Sequence, residues 1–331
     1  MDTKADLIRE LLLKPKFKAM QNQTLARFVR EKHPNVFQSI ESARYVIRSV
    51  KGQAGEARRK AVTDPEKTKF FEGLDNLPEP DAFELMPFKI NHHKYKRLGV
   101  LSDIHIGHHD LEALKIALQY IKEKDIDCLL FNGDVFDGRS VSHWERDVKS
   151  LDAQHEIQMN RKFWGAVRKM FPNIPIIYKL GNHDIWWERY LRTHCIEVSG
   201  MPEFELHRIL NLEQMQVQHV ADLVRIEYGK LNILHGHEFR NRSMTVSPSR
   251  TNFMKSFDNI LCGHNHQPTS TIMKDITGKQ YGSWSTGCLC NLSAKYMPYN
   301  QWQHGFAIVD ITDLEGSFQV HNKVILNGKV L

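Results

Sequence analysis

The sequence predicts an α/β domain with two packed sheets, preceded by a small all-helical module. Three observations predict this. From about Tyr95 the chain repeats a strand, loop and helix pattern. After about residue 220 strands dominate. The first sixty residues carry only helical periodicity. A composition of 41% hydrophobic and 25% charged residues over 331 positions suits one large globular domain plus a small one.

The helical module, residues 1–60, is built from three segments. Ala5–Lys14 reads as a helix stopped near Pro15. Thr24–His33 reads as a second, opened by a Thr24 cap and ended before Pro34. Ser39–Gly52 reads as a third. Its apolar residues Ile40, Ala43, Val46, Ile47 and Val50 recur at helical spacing, and Gly52 suits the end. Arg44, Arg48 and Lys51 recur at i, i+4 and i+7, forming a narrow basic stripe. Residues 1–60 hold 14 Lys/Arg against 6 Asp/Glu. That is +8, so the other 271 residues carry −2 of the total +6. A basic three-helix module suits a helix-turn-helix that binds nucleic acid through Arg44, Arg48 and Lys51. A solvated helical surface is the plain alternative.

Residues 61–94 contain three prolines in "DNLPEPDAFELMP" and no periodicity, which reads as a linker. The second domain, residues 95–331, then opens with a strand at Arg97–Ser102. A helix at Leu111–Lys124, a strand at Asp127–Gly133 and a long helix over His143–Phe171 follow. A strand at Ile174–Gly181 leads to a helix at Ile185–His194. Six further strands are read at 223–229, 231–236, 259–264, 270–276, 280–287 and 305–311. The five scattered cysteines form no Cys-x-x-Cys pair and read as reduced thiols of a cytoplasmic protein. The amino terminus mixes acids and bases, so no signal peptide is expected, and no apolar run suits a membrane span.

Polar residues gather where the apolar runs stop. Asp103 and His105 end one strand, and Asp134 and Asp137 end the next. Asn182, His183 and Asp184 follow a third; His235, His237 and Glu238 a fourth; His264 and His266 a fifth. Singly, each cluster could be a turn or a helix cap. The carboxyl ends of strands share one edge of an open sheet, so five such clusters can converge. Burying so many charges would cost several kcal/mol per group without a cation, and a metal centre removes that cost.

The motifs Asp103-x-His105, Gly133-Asp134-x-x-Asp137, Gly181-Asn182-His183-Asp184, His235 and Gly263-His264-x-His266 resemble the calcineurin-like metallophosphoesterase superfamily. The match runs over about residues 97–311. The resemblance implies a four-layered αββα sandwich and two divalent ions, Mn²⁺ preferred with Fe or Zn²⁺ as alternatives. It implies Asp103, His105 and His266 around one ion, Asn182, His235 and His264 around the other, and Asp134 between them. His237, two residues past His235, stays an alternative ligand. His183 becomes the proton donor to the leaving oxygen, oriented by Asp137. Arg139 could contact the substrate phosphate, with a surface salt bridge as the plain alternative. His108, His109, Trp186, Trp187, Tyr296, Tyr299 and Trp302 could stack on a base, although core and loop packing accounts for them more simply. The expected function is hydrolysis of a phosphoester, as a phosphodiesterase or nuclease on DNA or RNA. A phosphomonoesterase and a non-catalytic nucleic-acid-binding scaffold are the alternatives.

Overall fold

The computed structural model describes residues 3–18, 20–53, 85–142, 152–240, 247–294 and 297–331. They divide into two compact units, 1–83 and 84–331. In the first, helix α1 (Lys4–Leu12) starts at a capping box, in which Thr3 accepts from the Asp6 amide and Asp6 answers to the Thr3 amide. Pro15 does not merely end this helix. It opens a short one, α2 (Pro15–Lys18), because proline at a first helical position lacks only an N–H that would be unpaired anyway. Helix α3 (Asn22–Lys32) starts two residues before the expected Thr24, with Gln21 at its cap position, so Thr24 lies inside the helix. Helix α4 (Ile40–Val50) is capped by Ser39, which accepts from the Ser42 amide at 3.0 Å. Ile8, Leu25, Ala26, Val29, Phe37, Ala43 and Ile47 form the core between them. Seven residues connect α3 to α4.

The basic stripe is only partly a surface. Arg44 and Arg48 are exposed, but the Lys51 ammonium turns back to donate to the Met20 carbonyl at 3.1 Å. Burial lowers its pKa. A long stem followed by a point charge lets lysine close a neighbouring carbonyl as readily as face solvent.

The second unit starts where a linker was expected. Phe88–Ile90 is strand β1, paired in parallel with a later strand, while residues 61–84 of that linker lie outside the described residues. Next come β2 (Arg97–Leu101), α5 (Leu111–Glu123) and β3 (Cys128–Asn132). Helix α6 (Ala153–Met170) is capped by Asp152; residues 143–151 of the expected longer helix are outside the described set. Then follow β4 (Ile176–Lys179), α7 (Trp186–His194), α8 (Leu206–Ile209), β5 (Val217–Val220), β6 (Ile226–Tyr228) and β7 (Leu231–Ile233). The chain ends with α9 (Pro248–Ser256), β8 (Ile260–Cys262), β9 (Thr269–Lys274), β10 (Gln280–Ser285), β11 (Gly305–Ile311), β12 (Phe318–Leu326) and β13 (Lys329–Val330).

Two sheets result, with strand orders β13-β12-β11-β2-β3-β4-β5 and β1-β6-β7-β8-β10-β9. Side-chain alternation glues them into layers. On β2 and β3, Leu98, Val100, Cys128 and Leu130 face the second sheet. Leu101, Leu129 and Phe131 face a helical layer with Ala117, Ile121 and Trp164 of α5 and α6. Helix α9 contacts β8, β9 and β10 on the other sheet. The four layers are helix, sheet, sheet and helix, as expected. Strands β2, β3, β4 and β5 run parallel, so their carboxyl ends lie on one edge.

Candidate metal centre

Five loops leave the carboxyl ends of β2, β3, β4, β7 and β8 and bring the strand-end clusters together. The loops are cross-tied. Amides of Asp103, Ile104 and His105 donate to the carbonyls of Gly133 and Asp134 at 2.9–3.1 Å. The His264 amide donates to the Asp103 carboxylate at 2.9 Å. Asp103, His105, Asp134, His264 and His266 all adopt left-handed backbone, with φ between 52° and 66°. Each such non-glycine residue costs of order 1–3 kcal/mol, and such strain persists only where the surroundings enforce it. Glycine flanks the ligand positions because nothing larger fits. A Cβ on Gly181 would stand 2.3 Å from Asp134 Oδ1, and one on Gly133 would stand 2.2 Å from the His235 ring.

Side chains from the separate loops come close to one another. His266 Nε2 lies 3.1 Å from Asp103 Oδ1, and His235 Nε2 lies 3.2 Å from Asp134 Oδ2. His105 Nε2 is 3.9 Å from that same Asp134 oxygen. Ligand atoms of Asp103, His105 and Asp134 lie within 4.8 Å of one another, as do those of Asp134, His235 and His264. Asp134 belongs to both sets. His105 Nε2, His235 Nε2 and Asn182 Oδ1 are buried without a hydrogen-bond partner. Unsatisfied buried atoms cost about 1–3 kcal/mol each, so the convergence of the His105 and His235 nitrogens on Asp134 fits cation ligation. His237 lies beside the cluster, its ring centroid 5.4 Å from that of His235, with its nitrogens 3.6 Å from Glu238 and 3.9 Å from Asp222.

Charge balance supports the same picture. Burial opposes ionisation of Asp103, but the facing His266 outweighs it and brings the pKa to about 2. Burial opposes a charged His235 too, yet Asp134 raises it to about 10. His264 goes the other way: burial and the neighbouring His235 lower it to about 3. These shifts set the Asp103 carboxylate against His266 and the Asp134 carboxylate against His235. Divalent cations bind neutral imidazole and would take over that balance.

The outer contacts change one expected role. Asp137 was expected to orient His183 through its carboxylate. Its Oδ1 instead lies closest to His105 Nδ1, at 2.8 Å, and 3.5 Å from His183 Nδ1. His183 reaches the Asp137 backbone carbonyl at 2.8 Å. The carboxylate therefore chiefly orients His105, a common arrangement behind a metal-ligating histidine. Trp186 packs against the His183 ring, centroids 3.9 Å apart, and Trp302 against His266 at 4.3 Å. Both pack on site histidines. Trp187 donates to the Phe204 carbonyl, Tyr299 is exposed, and Tyr296 lies outside the described residues. Arg139 opens a short 3-10 turn and lines a small cleft with His108, Asp137 and Glu156. His108 Nε2 is 3.5 Å from Asp137, and His109 Nδ1 accepts from the Gly107 amide.

Two features received no role from the sequence. Asp184 binds no candidate ligand side chain. It accepts from the amides of Asp134, Phe136 and Gly181 and from the Tyr178 hydroxyl, fastening the β3 and β4 loops. Burial, followed by the charge of Asp134, raises its pKa to about 7. Lys179 is fully buried and paired with Glu238 at 2.8 Å. Its signal was a lone lysine in the otherwise apolar run "IPIIYKLG".

A model of calcineurin-like phosphoesterases matches residues 96–298. The chain belongs to that family. The phosphoesterase is 27% identical over 229 residues to the Gene 54 protein of Mycobacterium phage L5, covering 65% of this chain and 89% of that one. Among solved structures, Vps29 from Entamoeba histolytica is similar at a TM-score of 0.37 and 12% identity, covering 71% of this chain and 96% of that one. Yfce, a phosphoesterase from E. coli, has a TM-score of 0.34 and 16% identity, covering 68% of this chain and 98% of that one. For this phosphoesterase, the family and the Asp/His clusters together suggest a dinuclear divalent-metal site and a phosphoester substrate. No helix among the described residues is long and apolar enough to cross a membrane.

Proposed function

We propose that this phosphoesterase is a two-metal phosphodiesterase that cleaves DNA or RNA. One observation carries the hydrolytic part: His105 Nε2 and His235 Nε2 converge on Asp134 Oδ2 at 3.9 and 3.2 Å at one sheet edge, beside the His266–Asp103 contact. Asp103, His105 and His266 would hold one ion. Asn182, His235 and His264 would hold the other, and Asp134 would serve both. When bound, the ions polarise a phosphoryl oxygen and acidify water near neutral pH.

The remaining steps belong to this chain's own residues. The hydrogen bond between His183 Nδ1 and the Asp137 carbonyl fixes the ring and leaves Nε2 to hold a proton for the leaving oxygen. Trp186 backs that ring and limits its rotation. Arg139, on the cleft beside Asp137, takes a phosphate oxygen.

The nucleic-acid part is supported by the +8 charge of residues 1–60 and by exposed Arg44 and Arg48 on α4. The full chain with Mn²⁺ should turn over bis-para-nitrophenyl phosphate faster than the monoester. It should also degrade DNA or RNA in a panel that includes phosphopeptides. Preference for the monoester or for phosphopeptide would replace this reading with a phosphomonoesterase. Arg44→Glu with Arg48→Glu should weaken nucleic-acid binding and flatten its salt dependence while small-ester hydrolysis holds.

A further inference from the structure

Lys179 ends β4 with its side chain wholly buried, three residues before Asn182. Its ammonium touches Glu238 Oε1 at 2.8 Å and also donates to the Asp222 carbonyl. Glu238 spends both oxygens on the backbone beside a candidate ligand. Oε1 accepts from the His235 amide at 3.1 Å, and Oε2 accepts from the Gly236 amide at 2.6 Å. The His235 carbonyl in turn accepts from the Gly263 amide, one residue before His264. Three loops that carry Asn182, His235 and His264 are thus tied through one buried ion pair. These ties reach the other set through the His264 amide, which donates to the Asp103 carboxylate, and touch neither the His105 nor the His266 side chain. Those are fixed by other partners: Asp137 on His105, and Cys290 3.7 Å from His266 Nδ1.

We propose that the Lys179–Glu238 pair is a positioning clamp for one ion of the two, the one held by Asn182, His235 and His264. The inference rests on the reading of those three residues as ligands. A buried charge pair is a poor source of stability compared with apolar packing, so its retention beneath a site calls for another role. Here the carboxylate captures two successive amides and sets the height of the His235 ring. Outer partners of metal ligands commonly tune affinity by about 10–100-fold.

The test uses the full chain, stripped of metal and titrated with Mn²⁺ by calorimetry, with ions counted after desalting. Wild type should take two ions. Glu238→Asp keeps the charge pair but is one methylene too short to hold both amides. It should weaken one ion by about 10–100-fold and leave the other within about twofold. The charge-free pair Lys179→Met with Glu238→Gln should show the same one-sided loss, and covers the case in which the first variant folds poorly. Equal weakening of both ions would mean a general structural role and overturn the clamp. So would unchanged affinities with a lowered melting temperature. Failure of the underlying metal reading looks different: wild type itself would take up no ions.

Discussion

The two units bury different chemistry. Among the described residues of the helical unit, the interior is Ile8, Leu25, Ala26, Val29, Phe37, Ala43 and Ile47, and no polar side chain is fully buried. The sheet unit hides Asp103, Asp134, Asp137, Asp184, Glu156, Lys179 and several imidazoles. Apolar burial contributes about 25 cal/mol per Å² and asks for no partner. A buried carboxylate costs several kcal/mol unless it is paired. The first interior is explained by folding alone. The second is explained only when the gathered charges have work to do, and five left-handed ligand positions add to its cost. Buried polarity thus marks the functional edge better than open space does. A cavity lined by Lys94, Asp127, Arg168 and Gln216 sits at the opposite, amino-terminal ends of the same strands and includes none of the clustered residues.

The sharpest way to break this comparison is to alter the shared carboxylate. Asp134→Asn keeps the volume and removes the charge that both ligand sets use. Turnover should fall by about 10³-fold or more, the order expected when one member of a cooperating set is lost. Both ions should weaken together. Retention of two tight ions by the variant, measured by metal analysis after desalting, would show that Asp134 does not serve both.

A smaller effect separates Asp137 from His183. Asp137→Asn leaves the backbone carbonyl on His183 intact but removes the charge from His105. It should weaken one ion by about 10–100-fold. His183→Ala should keep both ions and lose about 10²–10⁴-fold in turnover, as the loss of a proton donor does. Metal titration beside steady-state kinetics distinguishes the two. If Asp137→Asn behaves like His183→Ala, the carboxylate acts on His183 after all.

Much of the site was readable because each motif joins an apolar strand to a chemically distinctive loop. Asp103, Asp134, Asn182, His235 and His264 all follow strands that the apolar runs announce. What escaped notice lacks such contrast. Strand β1 is three residues of "FKI", and β12 reads "FQVHNKVIL", half-exposed with alternating polar residues that dilute an apolar pattern. Helix α9, "PSRTNFMKS", has no apolar stripe. Asp137 was read as the partner of His183 and not of His105, its nearer contact, because two imidazoles compete for one carboxylate and spacing cannot rank them. Lys179 pairs with Glu238 across 59 positions, a contact set only by the parallel stacking of loops at the sheet edge.

The smallest effect on catalysis should come from the unit with the dry interior. Ile47 lies on the buried face of α4 with no exposed surface. Ile47→Ala removes three heavy atoms from packing against Leu25, Val29 and their neighbours, and should destabilise that unit by about 2–5 kcal/mol. The unit's small core has little stability in reserve, so hydrogen exchange across α3 and α4 should accelerate by orders of magnitude. Hydrolysis of bis-para-nitrophenyl phosphate should stay within about twofold, because none of the described residues of 1–83 belongs to the Asp/His cluster. Nucleic-acid binding should fall, since Arg44 and Arg48 hold their spacing only while α4 is helical. A drop in small-ester turnover equal to the loss of binding would tie the helical unit to the chemistry itself. Selective loss of the polymer substrate keeps hydrolysis and recognition in separate interiors, one filled with hydrocarbon and the other with charge.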